Sequence, residues 1–111
     1  MTISDGYDIV TLPFPYVERD TVKRRPALLV ARTSQDLGWV LMITSSVNEP
    51  WPGDIKIVDL TAAGLRAPSV VRPAKIATVE LAMMRRIGSL DAKASAEVRS
   101  FLARILSVPG D

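Results

Sequence analysis

Pro26-Ala-Leu-Leu-Val-Ala31, the turn Ser34-Gln-Asp-Leu-Gly38 and then Trp39-Val-Leu-Met-Ile-Thr-Ser45 decide the fold. Both apolar runs have strand length, and neither alternates with polar residues. A half-buried strand alternates, whereas a nearly continuous apolar run indicates cover on both faces. Two such strands in succession call for a sheet that bends strongly enough to bury them.

Working outward, residues 7–12 read as a first strand, stopped by Pro13-Phe14-Pro15, because Pro-x-Pro removes the amide donors that a central ladder needs. A polar loop over residues 17–24 leads into Pro26. Beyond Ser45, Asn48-Glu-Pro-Trp-Pro-Gly53 is a long turn. Residues 54–58 resume a strand by alternation, with Ile55 and Ile57 on one face and Lys56 on the other. Residues 61–64 form a turn with up to one helical loop. Residues 69–72 and 75–79 make one strand interrupted near Pro73, at a bulge or an edge. Residues 81–84 suit a single helical turn and residues 86–90 a last short strand.

The chain then becomes helical. Asp91 can cap the helix by accepting a bond from an early amide. Ala94, Val98, Phe101, Leu102, Ile105 and Leu106 recur as one apolar stripe until Pro109-Gly110 stops it. No repeat or linker divides the 111 residues. The reading is therefore a single domain over residues 1–111, mainly β with a C-terminal helix, built as a small bent sheet or barrel.

Composition narrows the chemistry. The chain has no histidine and no cysteine. Disulfides, Cys/His zinc sites, Ser–His triads, cysteine nucleophiles and histidine proton shuttles are therefore excluded. Any catalysis rests on Arg, Lys, Asp, Glu, Ser, Thr or Tyr. The N-terminus lacks the basic start and apolar stretch of a signal peptide. The apolar run over residues 39–43 is far short of the roughly 20 residues that cross a bilayer. A soluble, cytoplasmic protein with no membrane association is expected.

The formal charge of +2 conceals a polarised layout. Residues 18–25 carry four cations and two anions, and residues 66–86 carry five cations against Glu80. Residues 33–65 between them hold four acids against Lys56. Two basic segments that meet across a small barrel can form a phosphate-binding groove. The alternative is that these arginines are solvated or paired locally.

Three stretches, taken in order, go beyond composition: Tyr7-Asp-Ile-Val-Thr-Leu-Pro-Phe-Pro15, Lys23-Arg-Arg-Pro-Ala-Leu-Leu-Val30, and Gly64-Leu-Arg-Ala-Pro-Ser-Val-Val-Arg-Pro-Ala-Lys-Ile-Ala-Thr-Val79 followed by Arg86-Ile-Gly-Ser-Leu90. With Ile43-Thr44-Ser45 between them, the chain resembles the MazF/PemK family of toxin endoribonucleases over about residues 7–106. The resemblance implies an SH3-like β-barrel with a C-terminal helix, acting as a homodimer. It implies cleavage of single-stranded RNA at short sequences with no cofactor or metal, the RNA 2′-hydroxyl serving as nucleophile. It also implies a cognate antitoxin, and binding of operator DNA only through the toxin–antitoxin complex.

Arg25, the residue before Pro26, matches the family's arginine at the second strand. Its fork suits charge stabilisation on phosphate, and its high pKa makes it a poor base. Thr44 matches the family's threonine at the end of the third strand. Thr44 and Ser45 can hydrogen-bond phosphate, although both are also ordinary strand-end residues. Arg72 matches an arginine that the PemK branch uses in catalysis. Where that branch has an aspartate two residues later, this chain has Ala74, so the expected Asp–Arg pair is lost. Lys23, Arg24 and Lys75 are assigned to RNA binding, and Asp20 or Glu18 can orient Arg25 or accept a proton. Trp51, between two prolines, can stack on an unpaired base or meet the antitoxin, and Phe14 and Tyr16 share that ambiguity. Trp39 reads as core or dimer interface. The competing reading is a catalytically weakened module that binds RNA or antitoxin and acts in operon autoregulation.

Overall fold

Strands β2 (Arg24–Arg32) and β3 (Leu37–Ser45) lie in the middle of the sheet, buried on both faces as their apolar runs predict. The structure, a computed structural model, describes residues 7–13 and 24–107. Ala27, Leu28 and Leu29 in β2 and Val40 and Leu41 in β3 are all buried. Around them stand β1 (Asp8–Pro13), β4 (Ile55–Lys56), β5 (Ser69–Glu80) and β6 (Arg85–Ser89). The six form one curled antiparallel sheet, a half-barrel, in the order β4-β5-β3-β2-β1-β6. Two helices complete the fold, α1 (Leu60–Ala63) and α2 (Ala92–Leu106).

Alternation along the central strands creates two cores. Ile9, Leu28 and Leu41 face one way, where Ala63 of α1 and Ala94 and Val98 of α2 cover them. Val10, Leu29 and Val40 face the other way. There the cover comes from the far half of β5 and the connection to β6, through Ala77, Val79, Leu81 and Met84. The sheet can double back because β5 breaks at Pro73. Leu41 pairs with Ile76 but the next residue, Met42, pairs with Arg72, leaving residues 73–75 bulged out. Proline has no amide to give to the ladder, and a bulge sharpens strand twist.

Several boundaries differ from expectation. The strand read at residues 54–58 shrinks to Ile55–Lys56. Ile55 and Ile57 are buried as their alternation requires, but Val58 is exposed and its amide turns to the Asp91 carboxylate at 2.9 Å. The turn at 61–64 is a true helical turn, capped by Asp59 and ended by Gly64 at φ 74°. Residues 81–83 form a 3₁₀ turn. In α2 the expected apolar stripe is only partly packed, because its last turn reaches past the sheet and leaves Ile105 and Leu106 more than half exposed. Among the described residues, no helix is long and apolar enough to cross a membrane.

Two glycines seal the contact between α1 and β6. A Cβ on Gly64 would strike the Ile87 carbonyl, and one on Gly88 would strike the backbone of Ala62 and Ala63. Main chain meets main chain there, with no side chain between.

Asp91 holds the start of α2. Its carboxylate accepts from the amide of Ala94 at 2.8 Å and from those of Val58 and Asp59 at 2.9 and 3.3 Å. Burial alone raises an acid's pKa, but these backbone donors outweigh it and hold Asp91 below the usual carboxylate range. A depressed folded pKa contributes stability above the unfolded value of about 3.9, and that contribution disappears as pH falls through the folded value. Asp91→Ala is expected to cost about 1–2 kcal/mol at neutral pH, the usual range for losing a cap. Urea unfolding at pH 7 and pH 3 checks this: the wild type weakens on acidification, and the variant weakens less.

Candidate active site

Strand register places the candidate residues. Arg25, Ala27 and Leu29 alternate onto the second face of the sheet, together with Val40, Met42 and Thr44. Met42 is flanked by Ala27 of β2 and by Arg72 of β5. One step further along the same face, Thr44 pairs with Val70. The β2–β3 ladder ends at Ala27 opposite Met42, and two more residues of each strand bring Arg25 and Thr44 to the same end of that face. Arg72 shares their face, about 12 Å from Arg25 between backbones, across β3 and two residues along. Arg25 and Arg72, one from each basic segment, therefore lie on one face of the sheet.

The three residues stand in different surroundings. Arg25 is exposed, and its guanidinium makes no hydrogen bond or ion pair among the described residues. Thr44 is half-buried, and its hydroxyl oxygen accepts from Asn48 Nδ2 at 2.6 Å. A hydroxyl has one proton to donate, and this bond leaves that proton free. Arg72 is turned away, toward β4. Its Nε and Nη2 donate to the two carboxylate oxygens of Asp54 at 3.1 and 2.9 Å, and Nη2 also donates to the Glu49 carbonyl at 2.9 Å. Its guanidinium lies 4.4 Å from the centre of the Trp51 ring, inside cation–π range.

The expectation that Arg72 lacks an acidic partner is therefore corrected. Ala74 does leave the near position empty, but Asp54 supplies the carboxylate from the end of the loop that leads into β4. The side chains of Arg72 and Asp54 are 11% and 10% exposed. The bond from Arg72 holds Asp54 below the usual carboxylate range, against burial, with the Trp51 amide at 2.9 Å and the charge of Arg72 adding to the effect. Asp54 raises Arg72 in return. An acid so firmly ionised is a weak proton acceptor. Sequence reasoning missed Asp54 because it lies 18 residues from Arg72. The available signal was alternation: with Ile55 and Ile57 inward, Asp54 falls on the opposite face.

The remaining candidates divide. Arg24 is exposed but has its donors on the fold: Nε to Thr11 Oγ1 at 3.1 Å, and Nη2 to the carbonyls of Thr11 and Met83 at 2.7 and 3.0 Å. It ties β1 to the β5–β6 connection. Ser45 lies on the opposite face from Thr44, and its hydroxyl accepts from the Val47 amide at 3.3 Å, bracing the turn. Trp51 is 40% exposed, and Lys75, from the bulge, brings its ammonium 5.7 Å from the ring centre. Trp39 is half-buried in β3. Lys23, Asp20, Glu18, Phe14 and Tyr16 lie outside the described residues.

Comparison with known proteins gives a consistent result. Residues 5–106 match the family model described as PemK-like, MazF-like toxin of type II toxin–antitoxin system. Among solved structures, MazF in a MazE–MazF complex from Deinococcus radiodurans is 20% identical and superposes with a TM-score of 0.70, over 96% of this chain and 97% of that one. MazF alone from the same organism gives 21% identity and 0.68, over 97% and 100%. The Mycobacterium tuberculosis toxin MazF-mt6 gives 21% and 0.68, over 93% and 99%. These structures share the fold. No curated protein sequence matches the chain.

Proposed function

Because the chain belongs to the PemK-like, MazF-like toxin family of type II toxin–antitoxin systems, we propose that it is a metal-independent endoribonuclease that cleaves single-stranded RNA and so blocks translation and growth. The observation that carries this reading is the shared face of Arg25 and Thr44: a guanidinium with no partner among the described residues, and at the same end of that face a hydroxyl whose proton is free. The RNA 2′-oxygen attacks the adjacent phosphorus, closing a 2′,3′-cyclic phosphate and expelling the 5′-oxygen of the next nucleotide as a hydroxyl. The 2′-hydroxyl proton leaves to a base, and a proton is delivered to the departing oxygen. Negative charge gathers on the non-bridging oxygens during attack. Arg25 can hold two of them with its fork while Thr44 donates to one. Lys75 and Trp51 line the approach as contacts for backbone and base.

Incubating the protein with a mixed-sequence RNA in EDTA and identifying the product ends tests this reading. Cyclic-phosphate and 5′-hydroxyl ends are expected. A second reading has its own support, in that Arg72 is tied to Asp54 and Arg24 to β1, leaving fewer free cations than the sequence offers. No cleavage in that assay would select the non-catalytic RNA- or antitoxin-binding module.

The protein acts on this reading as a cytoplasmic homodimer held inactive by an antitoxin and reaching operator DNA only within that complex. A cleft of about 410 Å³ between the β3–β4 loop and α2 carries Asp54, Glu97 and Arg104 in its lining. A larger one, about 580 Å³, is mostly apolar and bounded by Leu12, Pro13, Leu37, Val79 and Met83. Leu12 pairs directly with Arg25 across β1 and β2. An antitoxin segment bearing apolar and acidic residues could fill the larger cleft and cover Arg25 together.

A further inference from the structure

The loop over residues 46–54 is fastened at both ends to the proposed site. At its start, Asn48 reaches back to the Thr44 hydroxyl, and its amide donates to the Ser45 carbonyl at 3.1 Å. One residue later the Glu49 carbonyl accepts from Arg72. Trp51 then lies over the Arg72 guanidinium and donates its amide to Asp54, whose own amide donates back to the Trp51 carbonyl at 3.1 Å. The turn closes at Gly53, at φ 89°. Arg72 is the hub, and Asp54 is the group that sets its direction: it takes both parallel donors of the fork, which fixes the guanidinium plane. That plane determines where the Glu49 carbonyl and the Trp51 ring can sit.

We propose that Asp54 is a positioning residue for RNA cleavage, acting through Arg72 and the loop to keep Asn48 on Thr44. The inference rests on the endoribonuclease reading. Asn48 donates to the Thr44 oxygen, so the hydroxyl must direct its single proton elsewhere, toward the open face where Arg25 stands. If the loop shifts, Asn48 withdraws and the hydroxyl is free to rotate. The phosphate then loses a donor aligned in advance, which affects turnover more than binding. Asp54 touches neither substrate nor reacting atoms. Its carboxylate stands where the absent partner two residues after Arg72 cannot, and the arginine it holds is directed at the loop.

The test uses Asp54→Asn and Asn48→Ala, each in a Trp39→Phe background so that Trp51 is the sole indole. Asp54→Asn is expected to lower kcat roughly 10- to 100-fold, the scale of a misplaced catalytic group, with KM changed by less than about threefold, the signature of an interaction that matters in the transition state rather than in binding. Trp51 emission should shift to longer wavelength and become more readily quenched by acrylamide. Asn48→Ala, which leaves the ion pair intact, should give a similar kcat loss without moving Trp51. The double variant should be no slower than the slower single variant, because both act through one bond. Wild-type kcat in a folded Asp54→Asn protein, a loss confined to KM, or multiplicative losses in the double variant would each overturn the proposal. If Asp54→Asn does not fold by circular dichroism, Asn48→Ala decides alone: unchanged kcat overturns it. Should the unmodified protein fail to cleave RNA, the endoribonuclease reading falls, and this inference with it. Cleavage by the unmodified protein together with any of the overturning results removes this inference only.

Discussion

Arg25→Ala is expected to slow RNA cleavage by roughly 10²–10³-fold, the usual consequence of removing one preorganised group that stabilises developing charge. The fold should survive, because Arg25 is exposed and bonds to nothing among the described residues. Its backbone pairing with Leu12 persists with any side chain. Circular dichroism and thermal melting should therefore match the wild type while cleavage collapses. Arg25→Lys separates charge from geometry. A lysine keeps the positive charge but cannot span two phosphate oxygens, so it should recover only part of the rate. Wild-type cleavage by Arg25→Ala in EDTA would refute the assigned role. Arg72→Ala should behave differently. It releases the loop and leaves Asp54 as a nearly buried, unpaired acid, so stability and rate fall together.

Gly88→Ala is expected to damage the fold severely for a single-methyl change. The new Cβ would fall against the backbone of Ala62 and Ala63. A side chain at that spot could rotate away, but a backbone cannot move without displacing α1. Overpacking costs about 1–3 kcal/mol where neighbours can adjust, and more where they cannot. A loss of about 3 kcal/mol or more is therefore expected, a large share of the roughly 5–15 kcal/mol that holds a domain together. Urea denaturation reads it directly. The two methyls added at exposed Ala62 by Ala62→Val should cost far less. Equal effects at the two positions would mean that the seam is looser than its geometry shows.

The sequence makes some of this architecture plain and hides the rest, for identifiable reasons. The unbroken runs in β2 and β3 announce burial on both faces, Pro73 announces the break in β5, and Asp91 announces the helix. Each is a local signal, legible from neighbours in the chain. The shared face of Arg25 and Thr44 depends on the β2–β3 register, which only the folded sheet reveals. The pairing of Arg72 with Asp54 is hidden more deeply. It joins the loop before a two-residue edge strand to a bulged strand across 18 positions, and the empty place at Ala74 points away from it. Arg24 has bonds that its sequence context does not announce. Its basic neighbours suggest phosphate, yet its donors belong to Thr11 and Met83. Charge in a sequence shows how many cations exist, and hydrogen bonding decides how many remain available.

The strand order has a consequence in time. β1 lies between β2, its neighbour in the chain, and β6, which follows β5, and Asp8 at its head pairs with Ser89 and is bridged by Arg86 at 2.9 Å. A hairpin of β1 and β2 can form from chain neighbours, but the outer edge of β1 has no partner until β6 is in place. Loop closures of that length also slow folding. The face that carries Arg25 can take shape early, whereas the far half of β5 and the 3₁₀ turn that cover its core come later in the chain. The sheet is thus complete only once β6 has closed on β1.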